Sequence, residues 1–182
     1  AVDNLAKEGI TQGVKLVGDV RVDVVTQTVP RARGEQPRLL DQTKLKAGEP
    51  FALATIHRAS NTDDPVRLKA IVEAFNTLEL PVVLPVHPRL GKMMTEFGLA
   101  FGGNVRTLEP IGFLEMIALL DACRIVVTDS GGLQKEAYML HRPGVTVRDT
   151  TEWIETVHSG WNRLTEPEDF KSAVTAALAP PP

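Results

Sequence analysis

The stretch RIVVTDSGGLQKEA, residues Arg124–Ala137, predicts a buried strand that turns directly into a helix. Arg124–Thr128 is an apolar run rich in β-branched residues, and Gly131 and Gly132 open the helical pattern that follows. Glycines at this point let a ligand approach the backbone, and first-turn N–H groups have no intrahelical acceptor. The pattern favours an anion site at the start of the helix. The alternative is a tight turn in which Ser130 only caps the helix.

Further apolar runs predict the rest of a sheet, and helical patterns separate most of them. The predicted strands are Val14–Val17, Phe51–Ile56, Val82–Val86, Val105–Leu108 and Gly144–Val147. They are almost continuously apolar, as strands are when helices cover both faces of a sheet. The predicted helices are Asp64–Leu78, Phe113–Ala122, Gly131–Leu140 and Pro167–Leu178. This alternation predicts an α/β fold with a doubly wound parallel sheet.

Two segments do not fit the alternation. Ala1–Gly9 indicates a short helix ahead of the first predicted strand. Pro30–Glu49 is polar and basic, and we expect it to be a flexible excursion with one short helix at Leu39–Leu45.

Composition excludes several classes of function. The 182 residues are 43% hydrophobic and 24% charged, with a net charge of -3, whereas nucleic-acid-binding domains usually carry a basic excess. No apolar run approaches the roughly 20 residues that span a bilayer, so we expect no membrane partner. Cys123 is the one cysteine and favours a reducing, cytoplasmic setting. Neither metal-ligand spacing nor a Gly-x-Ser-x-Gly nucleophile motif occurs, so we predict no metal and no serine hydrolase.

Three more polar loops follow predicted strands, at Thr55–Asn61, Pro85–Arg89 and Val147–Trp153. His57 and Arg58 form a cationic pair suited to a diphosphate, although taken alone the pair slightly favours a histidine satisfied by a backbone group and a solvated arginine. For His87, which two prolines flank, a structural role and a place at the same rim explain the residue equally well. In a parallel sheet the four loops would meet in one crevice, and this convergence predicts a nucleotide site.

Taken together, these motifs resemble the UDP-N-acetylglucosamine 2-epimerase family, specifically the C-terminal half of its non-hydrolysing type. The matching segments are Asn4–Ile10, Val17–Asp19, Thr55–Asn61, Asp63–Pro65, Pro85–Arg89, Leu108–Leu114, Asp129–Ala137, Val147–Thr151 and Gly160–Asn162.

The resemblance implies a glycosyltransferase-B-like enzyme in which two Rossmann-like domains close over a UDP-sugar. This chain would be the second domain, with residues 1–12 a remnant of the interdomain region and residues 13–179 the UDP-binding domain. The implied reaction inverts C2 of UDP-N-acetylglucosamine to give UDP-N-acetylmannosamine, by elimination and re-addition of UDP and without a cofactor. Family members take their acid/base carboxylates from the N-terminal domain, so we expect this chain alone to be inactive. The resemblance also implies a cytoplasmic homodimer.

The resemblance assigns a role to each matching position. His57 would be the active-site histidine near the diphosphate, and Ser130, Gly131 and Gly132 would hold phosphate oxygens. Glu136 would bind the ribose hydroxyls. Phe113 would lie beside the uracil, while Arg58 and His87 would touch a second, activating UDP-sugar.

One departure concerns the diphosphate. Many relatives read Thr-Glu-Arg-Pro where this chain has Thr151–Ile154, so an expected phosphate-binding arginine is absent. Arg148 is the residue that would compensate, and Trp153 marks a subgroup. Three alternatives stay open: a hydrolysing epimerase, a non-catalytic nucleotide-sugar-binding module and, on architecture alone, a glycosyltransferase.

Overall fold

Six short parallel strands form the sheet at the centre of the fold, in the order β3-β2-β1-β4-β5-β6. In the computed structural model, residues 2–46 and 48–179 are described. The strands are β1 Ala52–Thr55, β2 Val82–Pro85, β3 Val105–Leu108, β4 Ile125–Thr128, β5 Gly144–Val147 and β6 Asn162–Thr165. Every neighbouring pair is parallel. The predicted doubly wound α/β sheet is therefore confirmed.

Helices connect the strands and cover both faces of the sheet. They are α1 Val2–Lys7, α2 Val20–Ala32, α3 Gln36–Thr43, α4 Ala59–Thr62, α5 Pro65–Asn76, α6 Pro88–Glu96, α7 Phe113–Ala122, α8 Gly131–Met139, α9 Ile154–His158 and α10 Phe170–Leu178. A 3-10 turn, Pro167–Asp169, leads into α10. Among the helices described, none has the length and apolar character needed to cross a membrane.

The core divides into two layers because successive strand residues point to opposite faces. On one face, Ala52 and Ala54 of β1 pack with α5, α6 and α10 around Phe75 and Phe170. On the other face, Leu53 of β1 packs with α2, α3, α7 and α8. Both faces of the central strands are therefore buried, which explains why β1 and β4 are apolar up to their final threonines.

Side-chain caps fix where several helices begin. Asp64 accepts hydrogen bonds from the N–H groups of Val66 and Arg67, with Pro65 at the first helical position. At the start of α7, the Glu115 carboxyl accepts from the N–H of Gly112 at 2.8 Å. These caps agree with the predicted beginnings of α5 and α7.

The predicted strand Val14–Val17 is wrong. The segment pairs with no strand of the sheet, and Leu16 and Val17 are 84% and 87% exposed. An apolar run becomes a strand only where its backbone can pair with another strand. The sheet could accept a further strand only at its edges, β3 and β6, and the segment Val14–Val17 pairs with neither.

The predicted flexible excursion at Pro30–Glu49 is also wrong in most of its length. Helix α2 continues through Pro30 to Ala32, and α3 spans Gln36–Thr43, close to the predicted Leu39–Leu45. Leu39 is fully buried in the layer that contains α7. Helix α1 agrees with the prediction of a short helix at the N-terminal end, of which Ala1 lies outside the described residues.

Candidate functional site

The candidate site lies where the sheet reverses its direction of winding. From β1 the chain proceeds through β2 to β3 on one side, whereas β4, β5 and β6 follow on the other side. In open α/β sheets, ligands bind outside the carboxyl ends of the strands at such a switch point. Thr55 and Thr128 end the two central strands in register, and their hydroxyl oxygens are 2.6 Å apart.

Helix α8 begins directly at this crevice. Ser130 caps it by accepting a hydrogen bond from the N–H of Leu133 at 3.4 Å, and the Ser130 N–H donates to the Thr128 hydroxyl at 2.9 Å. Gly131 and Gly132 form the first turn, where N–H groups have no intrahelical acceptor. The helix start therefore offers backbone donors and the positive end of the helix dipole to an anion.

Asp129 holds the neighbouring loop in place. Its carboxyl group is fully buried and accepts hydrogen bonds from the N–H groups of His57 and Arg58, at 3.0 and 2.8 Å, and from the Asn61 side-chain amide. The His57 ring also faces it, with Nδ1 3.2 Å from Oδ1. Sequence reasoning assigned no role to Asp129 or Asn61, because these contacts join positions about seventy residues apart.

The crevice contains a cavity of about 280 Å³. Five of the predicted site residues line it, namely His57, His87, Ser130, Gly132 and Glu136. The remaining lining residues are Arg21, Thr55, Pro85, Pro88, Pro110, Ile111, Met116 and Leu133. A cavity with an apolar lining and a few convergent polar groups is the usual form of a small-molecule site.

The two histidines lie side by side in this cavity, with ring centroids 5.3 Å apart. His87 caps α6, because its Nδ1 accepts a hydrogen bond from the N–H of Arg89 at 3.1 Å. In neutral imidazole the other ring nitrogen, Nε2, then carries the proton and is a donor. The sequence left open whether His87 was structural, and the structure gives its Nδ1 a structural bond while the ring lines the cavity.

Glu136 is the buried acid that lines the cavity. Its side chain is 7% exposed, and its Oε1 lies 2.5 Å from Nη1 of Arg21 in the first turn of α2. Burial raises the pKa of Glu136 above its ordinary value, and Arg21 acts in the opposite direction. Sequence reasoning missed Arg21. The available signal was Asp19, a good cap residue immediately before the helical segment Val20–Ala32.

A second group of polar side chains surrounds Gly131. A Cβ atom on Gly131 would lie 3.4 Å from Glu152 Oε2 and from the indole nitrogen of Trp153, and 3.9 Å from Arg58 Nη2. Nearby, the Lys135 ammonium lies 4.0 Å above the Trp153 ring.

Arg148 is engaged by Glu152 through two hydrogen bonds of 2.9 Å. This ion pair lowers the pKa of Glu152 to about 2 and raises the pKa of Arg148.

Three residues that were predicted to contact UDP, and one that was predicted to contact the activating UDP-sugar, do not line the cavity. Gly131, Arg148 and Arg58 lie beside it, in the group around Glu152. Phe113 begins α7 and is 44% exposed, while Pro110, Ile111 and Met116 from the same region face the cavity instead. Their predicted roles stay predictions.

Among residues 2–46 and 48–179, no group of three or more histidine, cysteine, aspartate and glutamate side chains is arranged to hold a metal ion.

Comparison with known proteins places this chain in a family. The family model described as UDP-N-acetylglucosamine 2-epimerase matches residues 1–180. The chain belongs to the UDP-N-acetylglucosamine 2-epimerase family. The predicted resemblance is thereby confirmed.

Two relatives show how the chain compares within this family. The UDP-2,3-diacetamido-2,3-dideoxy-D-glucuronate 2-epimerase of Pseudomonas aeruginosa is 45% identical over 170 residues, covering 90% of this chain and 46% of that protein. A UDP-N-acetylglucosamine 2-epimerase homolog of Methanococcus maripaludis is 40% identical, covering 88% of this chain and 46% of that protein. The chain thus spans about half the length of the curated relatives it matches.

A solved structure agrees with the fold. The UDP-N-acetylglucosamine 2-epimerase of Methanocaldococcus jannaschii, crystallised with UDP-N-acetylglucosamine and UDP, superposes with a TM-score of 0.87 at 33% identity. The match covers 98% of this chain and 52% of that one. The fold of this family member is therefore that of one half of a glycosyltransferase-B-like epimerase.

Proposed function

We propose that this chain is the UDP-binding half of an enzyme that inverts C2 of a UDP-linked N-acetylhexosamine. The observation that carries the proposal is the cavity at the start of α8, where Ser130, Gly132, Glu136 and His57 converge. The helix start suits a diphosphate, and the buried carboxylate suits the hydroxyls of a ribose.

Each group has a distinct part in this proposal. The backbone donors of Gly131 and Gly132 and the Ser130 hydroxyl hold phosphate oxygens, and Glu136 accepts from the ribose hydroxyls. His57 stabilises the charge that grows on UDP as the bond to the sugar breaks. Asp129 supports this role, since it fixes both the backbone and the ring of His57. Phe113 would contact the uracil, and Arg148 would reach the diphosphate only after leaving Glu152.

The chemistry also requires a carboxylate that removes the C2 proton. We propose that this group comes from the other half of the enzyme, as do the contacts that close over the sugar. The nucleotide half would bind UDP, release it from C1 during elimination and hold it until it adds back. A histidine pair beside the leaving diphosphate fits this part of the reaction.

His87 and Arg58 are proposed contacts of a second, activating UDP-sugar. His87 is suited to this because its ring lines the cavity next to His57. Arg58 lies outside the cavity, where its Nε donates to the Asp129 carbonyl at 2.9 Å. Its Nη2 end, 3.7 Å from Glu152, is the part that would reach such a ligand.

UDP-N-acetylglucosamine is the proposed substrate. A second candidate is UDP-2,3-diacetamido-2,3-dideoxy-D-glucuronate, because the relative named for that sugar is 45% identical to this chain. The two sugars differ in a 3-acetamido group and a carboxylate. Calorimetric titration of both nucleotide-sugars into the whole enzyme decides between them, since the true substrate should bind more tightly.

The decisive experiment for UDP binding is a calorimetric titration of UDP into the chain. We expect binding that Ser130→Ala and Glu136→Ala each weaken, by about tenfold for the buried acid. Ser172→Ala and Glu73→Ala are matched controls on exposed helix positions and should bind like the wild type. Folded protein that binds no UDP, or that binds it equally well in both site variants, would overturn the proposal.

The catalytic part has its own test. We expect no exchange of the C2 hydrogen with deuterium oxide when UDP-N-acetylglucosamine is incubated with this chain alone. Robust exchange would show that the chain contains its own base. With the whole enzyme, stoichiometric release of UDP would favour the hydrolysing alternative, and retention of the UDP-sugar would favour the non-hydrolysing one.

A further inference from the structure

Two adjacent ion pairs attach the beginning of α2 to α8 at the edge of the cavity. Arg21 pairs with Glu136 at 2.5 Å, and Asp19, the cap residue of α2, pairs with Lys135. Arg21 and Glu136 are 115 positions apart in the chain. The Arg21 side chain is 45% exposed and lines the cavity, whereas Glu136 is almost completely buried.

The backbone of α8 leaves space for the Arg21 guanidinium. A Cβ atom on Gly132 would lie 3.1 Å from Arg21 Nη1, which is tighter than ordinary van der Waals contact. The absence of a side chain at Gly132 therefore serves two purposes: it exposes the helix start and it admits the guanidinium that reaches Glu136.

A carboxyl group is a suitable acceptor for ribose hydroxyls only when it is ionised, because a protonated carboxyl presents a donor where an acceptor is needed. Burial works against ionisation of Glu136, while Arg21 and, more weakly, Lys135 favour it. The other titratable side chains that line the cavity are His57 and His87. Arg21 makes the direct contact to Glu136, on one of its two oxygens, and leaves the second oxygen for a ligand.

We propose that Arg21 is a positioning residue for nucleotide recognition, which holds Glu136 so that its free oxygen accepts from the ribose hydroxyls. The proposal rests on the proposed function, because it assumes that UDP occupies this cavity. It assigns α2, a helix that sequence reasoning did not detect, to the nucleotide site.

The test compares UDP with 2′-deoxy-UDP, which lacks one ribose hydroxyl. Calorimetry is performed on the wild type and on Arg21→Met, Arg21→Gln and Arg21→Lys. We expect the wild type to prefer UDP by about tenfold, as for a hydrogen bond to a charged group. Arg21→Met and Arg21→Gln should lose most of this preference, and Arg21→Lys should retain part of it because the cation remains.

Two controls isolate the contact. Arg33→Met removes an arginine at the other end of α2, where it pairs with Asp121 at 2.8 Å outside the cavity, and should keep the full preference. Glu136→Gln should match Arg21→Met, and the double variant should show no further loss, since both changes remove the same acceptor.

The pH dependence provides a readout that a purely structural role would not change. Without Arg21 the pKa of Glu136 rises further. As the pH is lowered, Glu136 is therefore protonated earlier in Arg21→Gln, and what remains of its preference for UDP should disappear at a higher pH than in the wild type.

The outcomes separate the two proposals. If the wild type binds no UDP, the proposed function fails, and this inference fails with it. If the wild type binds UDP but does not prefer it to 2′-deoxy-UDP, or if Arg21→Met and Arg21→Gln keep the wild-type preference, the inference alone is overturned. An equal loss of affinity for both nucleotides would also overturn it, because Arg21 would then contact the diphosphate directly.

Discussion

At the scale of single residues, Asp129 is the buried acid that sets the position of the loop after β1. Its carboxyl oxygens accept from two backbone N–H groups and the Asn61 amide, in a place without exposure to solvent. Asp129→Asn would put an amide against these donors and leave some of them unpaired. We expect the free energy of unfolding to fall by at least about 3 kcal/mol. Urea denaturation measures this loss, and the exposed Asp41→Asn should show almost none.

Because of its ion pair with Arg148, Glu152 should make the free energy of unfolding depend on pH in the acid range. Its pKa in the folded state is about 2, below the ordinary value of 4.5, because Arg148 binds it. A lowered pKa means that the stabilisation is complete above about pH 4.5 and is lost as the pH falls through 2. The advantage of wild type over Glu152→Gln in urea denaturation should shrink over this range.

Added salt should also reduce the Glu152 contribution, since the side chain is 55% exposed. Glu96→Gln, at an exposed position in α6, is the matched control and should follow the wild type at every pH. A constant difference between wild type and Glu152→Gln from pH 5 to pH 2 would contradict the assignment.

The predictable cavity-lining residues are those in or just beyond the loops that follow strands. His57, His87, Ser130 and Gly132 lie in such a loop or the first helical turn after it, and Glu136 lies further along α8. They were found because parallel strands bring these loops to one edge. Arg21 carries no comparable local signal: its partner is 115 positions away, and an exposed arginine on a helix is ordinary. Contacts of this kind depend on how helices pack, which the periodicity of one segment does not reveal.

At the scale of elements, α3 is a packed part of the core although its sequence is polar and follows a proline-containing stretch. Leu39 is fully buried on the face of the sheet that carries α7. Leu39→Ala should lower the free energy of unfolding by about 2–5 kcal/mol. Gln42→Ala, on the exposed side of the same helix, should change it by no more than about 0.5 kcal/mol. Equal effects in urea denaturation would mean that α3 is not packed.

Strand β6 and helix α2 were missed for different reasons. Strand β6, Asn162–Thr165, lies at the sheet edge and has three polar residues, so it lacks the apolar run that identified β1, β2 and β4. Helix α2 contains Pro30, which removes one backbone donor and suggests a break. Strands β1, β2, β4 and β5 are mostly apolar because helices cover them, and that information is local.

At the scale of the whole molecule, aliphatic side chains remain exposed along the segment before and within α2. Leu16, Val17 and Val20 are 84%, 87% and 75% exposed. Leu16→Ser should therefore change the free energy of unfolding of this chain by no more than about 0.5 kcal/mol. Leu90→Ser, at a position 1% exposed, should cost several times more. A large loss in Leu16→Ser would show that the segment packs against the sheet in solution.

The pairing of β1 with β4 has a consequence for the order in which the protein folds. These strands are neighbours at the centre of the sheet, yet Thr55 and Thr128 are separated by two complete strand–helix units. Closing so long a loop is entropically costly, and non-local pairing of this kind is slow. On a ribosome, the residues through β4 must emerge before β1 can acquire its second partner, and those through α8 before the crevice is complete. The nascent chain therefore completes its ligand crevice late, after β1, β2 and β3 have been synthesised.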